Sequence, residues 1–474
     1  MPGSGLSAIE HVVVLMLENR SLDHMLGFLY SDTGNVSPTT NQPFEGLTGT
    51  ESNPDASGSP ITVFRIEPDT PNAYFMPGAD PGEGYMATNS QLFGSISGPA
   101  SPAQVPAMQG FVKDFAYTLG WEANSTGYSI MPGTTASDIM GCFTPEALPV
   151  LSSLARGYAV CDHWFASVPT ETLPNRAFAN AATSQGHMDD KTHTFTSPSI
   201  FGTLSKRGLG WAIYGYTAEP LTKSDFTDII GAPASHFGVF TDFQAAAAAG
   251  TLPPYTFLEP SWDTTGNSQH PNYNVAFGEQ LIHDVYETVR NGPGWAQTLL
   301  VITYDEHGGC YDHVPPPSGA TPPDNNAGEF GFDFTRFGVR VPTVLVSPLI
   351  AEGTVFRVPP GSVPFDHTSI LKTVEERWDL PPLSARDAVA PGLGDVLSLS
   401  MPRIDDVLAG VTVPTATETA PSAGLPAHLQ EVQAELISRR YPAGQSDIPG
   451  AAQSAFTETS LRSYIHSHGT VRPD

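Results

Sequence analysis

Two short apolar runs, each stopping abruptly at oxygen-bearing side chains, do most to fix what this chain can fold into. Val12-Val13-Val14-Leu15-Met16-Leu17 runs into Glu18-Asn19, and Thr298-Leu299-Leu300-Val301-Ile302-Thr303-Tyr304 runs into Asp305-Glu306. Runs this short cannot cross a bilayer, and they lack the in–out alternation of a half-solvated strand. They fit strands buried on both faces, as in a parallel sheet covered by helices. Tyr158-Ala159-Val160 and the Val341–Ile350 stretch read as further strands. Between them lie helical patterns. Pro174–Ser184 has its proline in the first turn, and Phe277–Asn291 carries Phe277, Leu281, Ile282, Val285 and Val289 at helical spacing. Thr368–Trp378 follows Asp366 as a cap. Strands alternating with helices predict an α/β sandwich around a central, mostly parallel sheet.

Charge narrows the partners. Against 21 Lys and Arg stand 49 Asp and Glu, a formal net charge of −28 over 474 residues. A nucleic-acid binder needs a basic face, so that class is excluded, and anionic lipid is disfavoured while neutral or zwitterionic lipid is not. The 40% hydrophobic and 10% aromatic content is enough for a large packed core. Glycine and proline, 45 of each, imply long excursions, and the aperiodic stretch from 31 to about 106 reads as long surface loops inserted in the fold. A catalytic domain is expected over residues 1–410. It is followed over 411–474 by a Thr/Ala/Pro-rich linker, a terminal helix through Leu429, Val432, Leu436 and Ile437, and a polar tail packing on that domain. Cys142, Cys161 and Cys310 are too few for a disulfide scaffold or zinc ribbon, though one disulfide and a free thiol fit. No basic segment or cleavage site flanks Val12–Leu17, so the expected location is cytoplasmic, or secreted or periplasmic if a leader has been removed. The sequence leaves the oligomeric state open.

In open α/β sheets ligands gather at the carboxyl ends of strands. Glu18, Asn19, Asp305 and Glu306 converging there would repel one another unless a cation neutralised them, whereas either pair alone equally fits a solvated acidic strand end. Oxygen donors favour hard ions such as Mg²⁺, Ca²⁺ or Mn²⁺, with Fe or Zn possible in a mixed set. A second segment, Val168-Pro169-Thr170-Glu171-Thr172-Leu173-Pro174-Asn175-Arg176, puts hydroxyls at a helix N-terminus, where backbone N–H groups favour an anion. Thr170 or Thr172 is there either a cap or a cation-activated nucleophile. Histidines form the third cluster: His270, His307, His313 and His367, each a structural partner or a proton donor.

Taken together, Ile9 to His24, the Met140 to Arg176 block, His270-Pro271, the Tyr304 to Pro317 block and Asp366-His367-Thr368-Ser369-Ile370-Leu371 resemble, in order, a bacterial phosphoesterase family. That family contains non-specific phospholipases C and a respiratory-burst-inhibiting acid phosphatase, and is similar in fold to alkaline phosphatases and sulfatases. The resemblance implies an alkaline-phosphatase-like α/β/α sandwich and one divalent or transition metal ion (Ca, Mg, Mn, Fe or Zn) held by Glu18, Asn19, Thr172, Asp305 and Glu306. It also implies Thr172 as the nucleophile that forms a phospho-threonine, and a histidine, His270 before His307, as proton donor. Substrate-binding positions would be Asn175, Arg176, Glu83 and His367. The implied activity is phospholipase C-type cleavage of phosphatidylcholine-like diesters. A broad-specificity acid phosphatase using the same site is the alternative, and a non-catalytic binding protein a third. The partner is a phospholipid or small phosphoester, with at most transient contact with a membrane surface.

The chain departs from the family pattern in two places. Thr170-Glu171 stands where relatives have Gly-Pro, and Asp80-Pro81-Gly82 is followed by Glu83 where many carry histidine. Glu83 could accept a hydrogen bond or a choline-like cation, for which Trp121, Trp164, Trp262, Tyr311 and Glu171 are candidate walls.

Overall fold

Eight strands of the computed structural model, which describes residues 5–96, 104–124, 130–191, 193–261, 266–271 and 273–415, form one sheet. In chain order they are β1 (His11–Leu17), β2 (Ala159–Val160), β3 (Trp211–Gly215), β4 (Phe237–Val239), β5 (Tyr255–Leu258), β6 (Thr298–Tyr304), β7 (Thr343–Val346) and β8 (Thr354–Val355). Their spatial order is β8-β2-β7-β6-β1-β5-β3-β4. All neighbours are parallel except at β7, which runs antiparallel to both β6 and β2. β1 lies between β6 and β5, with Val14 opposite Val301 on one side and Phe257 on the other. Every residue of β6, and of β1 after His11, is buried, which is why neither run alternates.

The helices that matter for the site are α1 (Tyr85–Phe93), α2 (Phe111–Glu122), α3 (Pro149–Gly157), α4 (Thr172–Ala181), α5 (Val275–Arg290) and α6 (Thr368–Trp378). Asp366 does cap α6, its Oδ1 accepting from the Thr368 amide at 3.0 Å. On α5 the buried face contains Leu281, Ile282, Val285 and Val289. Phe277 is 47% exposed instead of joining it, because it lies about 140° round the helix from Ile282. Glu279 on the same helix turns inward, and its carboxylate accepts from the Val150 and Leu151 amides at the start of α3, at 2.7 and 3.0 Å.

The described residues of the 31–106 stretch combine loops with short regular elements. It contains α1, a hairpin pairing Ser52–Pro54 with Pro60–Thr62, and a strand Phe64–Ile66 pairing with Gly141–Phe143. It also shares a second hydrophobic core in which Phe28, Leu47 and Leu92 meet Phe111, Phe115 and Tyr311. The apolar residues of this cap come from segments far apart in sequence, so no local period marks them. Cys142, Cys161 and Cys310 are all buried free thiols. Among the described residues no helix is long and apolar enough to cross a membrane. Near the described end, Arg403 donates to the Gly157 carbonyl at 2.7 Å and Leu408 is buried. The expected terminal helix and tail, and all but the start of the linker, lie outside the described residues.

Candidate active site

The register Leu17↔Tyr304 sets the ends of β1 and β6 side by side, so Glu18-Asn19 and Asp305-Glu306 emerge together. Asn19 adopts a left-handed backbone (φ 53), which asparagine tolerates better than most residues. From there it makes three contacts. Its amide donates to Asp305 Oδ1 (3.1 Å), its Nδ2 donates to Glu83 Oε2 (2.7 Å), and its Oδ1 accepts from the Thr172 hydroxyl (3.2 Å). Thr172 is the first residue of α4, a helix buried along its whole length. Asn175 and Arg176, expected to bind substrate, both make hydrogen bonds within the protein. Asn175 accepts from the Val168 amide and donates to the Val168, Thr170 and Glu171 carbonyls, which shapes the turn before Thr172. Arg176 donates through Nε to Asp305 Oδ2 (2.9 Å) and through Nη2 to the Met16 and Leu17 carbonyls, which fixes the carboxylate against the strand end.

Carboxylates crowd this pocket. Glu18, Glu83, Asp190, Asp305 and Glu306 are all buried, and Glu171 is half-buried beside them. Glu18 has the Ser268 hydroxyl beside its carboxyl group, and Oε1 of Glu306 has no hydrogen bond. Burial pushes Glu18 up to about 7, opposed by His270 and reinforced by Asp305. Burial also holds Glu306 well above the carboxylate range, with Glu83 and Asp305 adding repulsion, and raises Asp190, with Glu171 and Glu83 adding to it. Buried carboxylate oxygens without donors are costly unless a cation takes them up. The unpartnered Oε1 of Glu306 suits a hard, oxygen-preferring metal ion, but the carboxylate oxygens of Glu18, Asp305 and Glu306 do not all lie within 4.8 Å of one another. Asp80, Glu83 and His270 do bring ligand atoms within 4.8 Å of one another on the pocket's flank.

The histidines separate by geometry. His270 donates through Nδ1 to the Pro271 carbonyl (3.0 Å), so Nε2 is left towards the pocket, 3.9 Å from Glu83 Oε2; Asp80 Oδ1 lies 3.9 Å from Nδ1. His307 sits behind Glu306. Its Nε2 bonds Gln91 Oε1 (2.7 Å), Phe111 packs edge-on to it, and burial pushes it down to about 3. Its Nδ1 stands 3.2 Å from Glu306 Oε2, so both ring nitrogens face oxygen atoms. His367, expected to bind substrate, has hydrogen bonds at both ring nitrogens: Nε2 donates to the Asp305 carbonyl (2.6 Å) and Nδ1 accepts from Trp164 Nε1 (3.3 Å). Burial lowers it to about 4. His313 belongs to a separate clamp with Asp23, whose other oxygen takes Arg340.

Of the candidate cage walls, Trp164 is stacked on Phe365 in the core and Tyr311 packs edge-on to Phe111. Trp121 is half-buried at the end of α2, and Trp262 lies outside the described residues. Three residues escaped the sequence reading: Asp190, Asp80 and Gln91. Asp190 Oδ1 accepts the Leu173 amide at 2.6 Å, at the first turn of α4. Its only signal was the Asp189-Asp190 pair close after the nucleophile segment.

A family model described as the Phosphoesterase family matches residues 9–381. The chain is 38% identical over 451 residues to non-specific phospholipase C6 of Arabidopsis thaliana, covering 91% of this chain and 80% of the relative. It is 27% identical over 430 residues to phospholipase C B of Mycobacterium tuberculosis, covering 79% and 74%. Relatives thus occur in a plant as well as a bacterium. Among solved structures, a protein in the alkaline phosphatase superfamily from Vibrio parahaemolyticus matches at 12% identity with a TM-score of 0.32, covering 52% of this chain and 63% of that one.

Proposed function

Since the chain belongs to the Phosphoesterase family and is a phosphoric-ester hydrolase, we propose that it is a phospholipase C-type diesterase, using Thr172 as nucleophile. The observation that carries this reading is the Thr172 hydroxyl, held at the N-terminus of α4 and hydrogen-bonded to Asn19 among buried carboxylates. Glu18, Asn19, Thr172, Asp305 and Glu306 would hold one metal ion, of the class Ca, Mg, Mn, Fe or Zn. When bound, that ion supplies charge neutralisation at the phosphoryl oxygens and acidifies the threonine hydroxyl.

The chain's own residues do the rest. Asn175 fixes the 168–171 turn, so Thr172 Oγ faces the pocket in one geometry. As the Oγ–P bond forms, the P–O bond to the glycerol oxygen breaks. His270, whose Nε2 faces the pocket, gives that oxygen its proton. The Thr172 proton leaves to solvent as Oγ attacks. Water then attacks the phospho-threonine, giving one proton back to His270, and the threonine oxygen leaves phosphorus and regains a proton from solvent as the phosphorylated head group is released. Glu83 bears on substrate choice. A monoester dianion brings more negative charge towards Glu83 and Glu171 than a diester monoanion does, and a cationic head group is attracted to both. The acid phosphatase alternative lacks that support.

Product analysis on phosphatidylcholine vesicles tests the reading. Diacylglycerol and phosphocholine are expected. Release of choline, or turnover confined to monoesters with inorganic phosphate as product, would overturn it.

A further inference from the structure

A second group of ligating side chains lies outside the carboxylate pocket. His187, His193 and Glu329 bring one ligand atom each to within 4.8 Å of one another. His187 and Glu329 come from segments 142 residues apart, and His187 Nδ1 stands 3.3 Å from Glu329 Oε1. Bonds of about 2.0–2.1 Å to one ion put neighbouring tetrahedral donors about 3.3 Å apart. The two imidazoles face each other with centroids 3.4 Å apart and planes inclined by 16°. The rings are thus in stacking contact, and one of them has to turn before the in-plane lone pairs of both converge on one ion.

The surroundings orient each donor. Glu329 Oε2 is taken by the Met188 amide (2.7 Å), so Oε1 is the oxygen turned to His187. His193 Nε2 donates to Asp189 Oδ1 (3.4 Å), which leaves its other ring nitrogen as the donor; the second oxygen of Asp189 is paired with Lys191. A carboxylate fixing the tautomer of a ligating histidine is the arrangement metal sites use. The side chains of His187 and His193 are 33% and 20% exposed, so an ion can reach them from solvent.

We infer that His187, His193 and Glu329 form a second metal site, for a borderline transition ion of the Zn²⁺ class, separate from the oxygen-rich pocket. Two nitrogens and one oxygen suit zinc better than a hard ion, with water completing four-coordination. Its place in the fold gives it a clamping role. The strap from Gly186 to Asp190 takes the Glu329 amide on the Gly186 carbonyl, accepts the Thr170 hydroxyl on the Met188 carbonyl (2.6 Å), and delivers Asp190 to the Leu173 amide. An ion joining His187 and His193 to Glu329 would pin that strap against the nucleophile helix.

Metal counting on the full chain, stripped with chelator and titrated with Zn²⁺ or Co²⁺, tests this. The unaltered chain is expected to hold one equivalent more than the His187→Gln/His193→Gln double variant. Its Co²⁺ form should show a tetrahedral absorption band that the single variant His193→Gln also loses. Circular dichroism checks that each variant is folded, and Glu329→Gln serves if the double variant is not. Asp305→Asn should remove a different equivalent and leave that band in place, so failure of the pocket and failure of this site read out separately. Equal stoichiometry in unaltered chain and folded histidine variants, or no tetrahedral Co²⁺ band in the unaltered chain, would overturn the inference.

Discussion

The Thr172 hydroxyl donates to Asn19 Oδ1 across 3.2 Å, joining residues 153 positions apart at the point where a helix begins and the central strand ends. Asn19 also donates to Glu83 and, through its backbone, to Asp305. One residue therefore ties the Thr172 hydroxyl to two of the pocket's carboxylates, Glu83 and Asp305. Its left-handed backbone is what allows its amide and its side chain to serve the site at once.

Thr172→Ala should lower kcat by roughly 10³-fold or more, because the attacking oxygen itself is removed. The hydroxyl makes one hydrogen bond, so the thermal midpoint should move little. Thr172→Ser should recover a substantial part of the rate. Near-normal turnover by the alanine variant would remove Thr172 from the mechanism.

Glu83→His takes a negative charge out of the pocket. The ratio of monoester to choline-diester turnover should rise by about tenfold, equivalent to ~1.4 kcal/mol of differential charge interaction. Parallel rates on p-nitrophenyl phosphate and p-nitrophenyl phosphorylcholine measure it. An unchanged ratio would show that Glu83 does not discriminate between them.

Glu279, buried against the start of α3, gives a pH dependence whose sign follows from its burial. Burial raises its pKa from 4.5 to about 7, partly offset by the Leu151 and Val150 amides. Between those values the folded chain binds more protons than the unfolded one, so its contribution to stability falls as pH rises through that window. Glu279→Gln should remove that dependence. Relative to the unaltered chain the variant should gain about 1–3 kcal/mol on going from pH 4.5 to 7.5, read by denaturant unfolding at each pH. A difference that stays constant across the window would contradict the assignment.

The parts of the fold legible in the sequence were those with a local cause. β1 and β6 announce themselves as unbroken apolar runs because both faces are covered, and α6 carries its own cap in Asp366. Their acidic ends pointed to the pocket for the same reason. What escaped was assembled from a distance. The cap core joining Phe28 and Leu92 to Phe111 has no period, and Phe277 fits a helical spacing while lying off the buried face. Arg176 and His367 have the chemistry of substrate ligands, but Asp305 claims both, one through its carboxylate and one through its carbonyl. Asp190 enters the site only because the strap after α4 folds back onto Leu173.

The central claim, that the buried carboxylates are arranged around an ion serving Thr172, is tested most directly by p-nitrophenyl phosphorylcholine hydrolysis before chelation, after it, and after metal is restored. The His187→Gln/His193→Gln variant runs alongside to isolate the pocket, and Asp305→Asn serves as the pocket control. Activity should vanish on chelation and return with metal in both the unaltered chain and the histidine variant, while Asp305→Asn stays inactive throughout. Full activity in the chelated, metal-free chain would contradict the account.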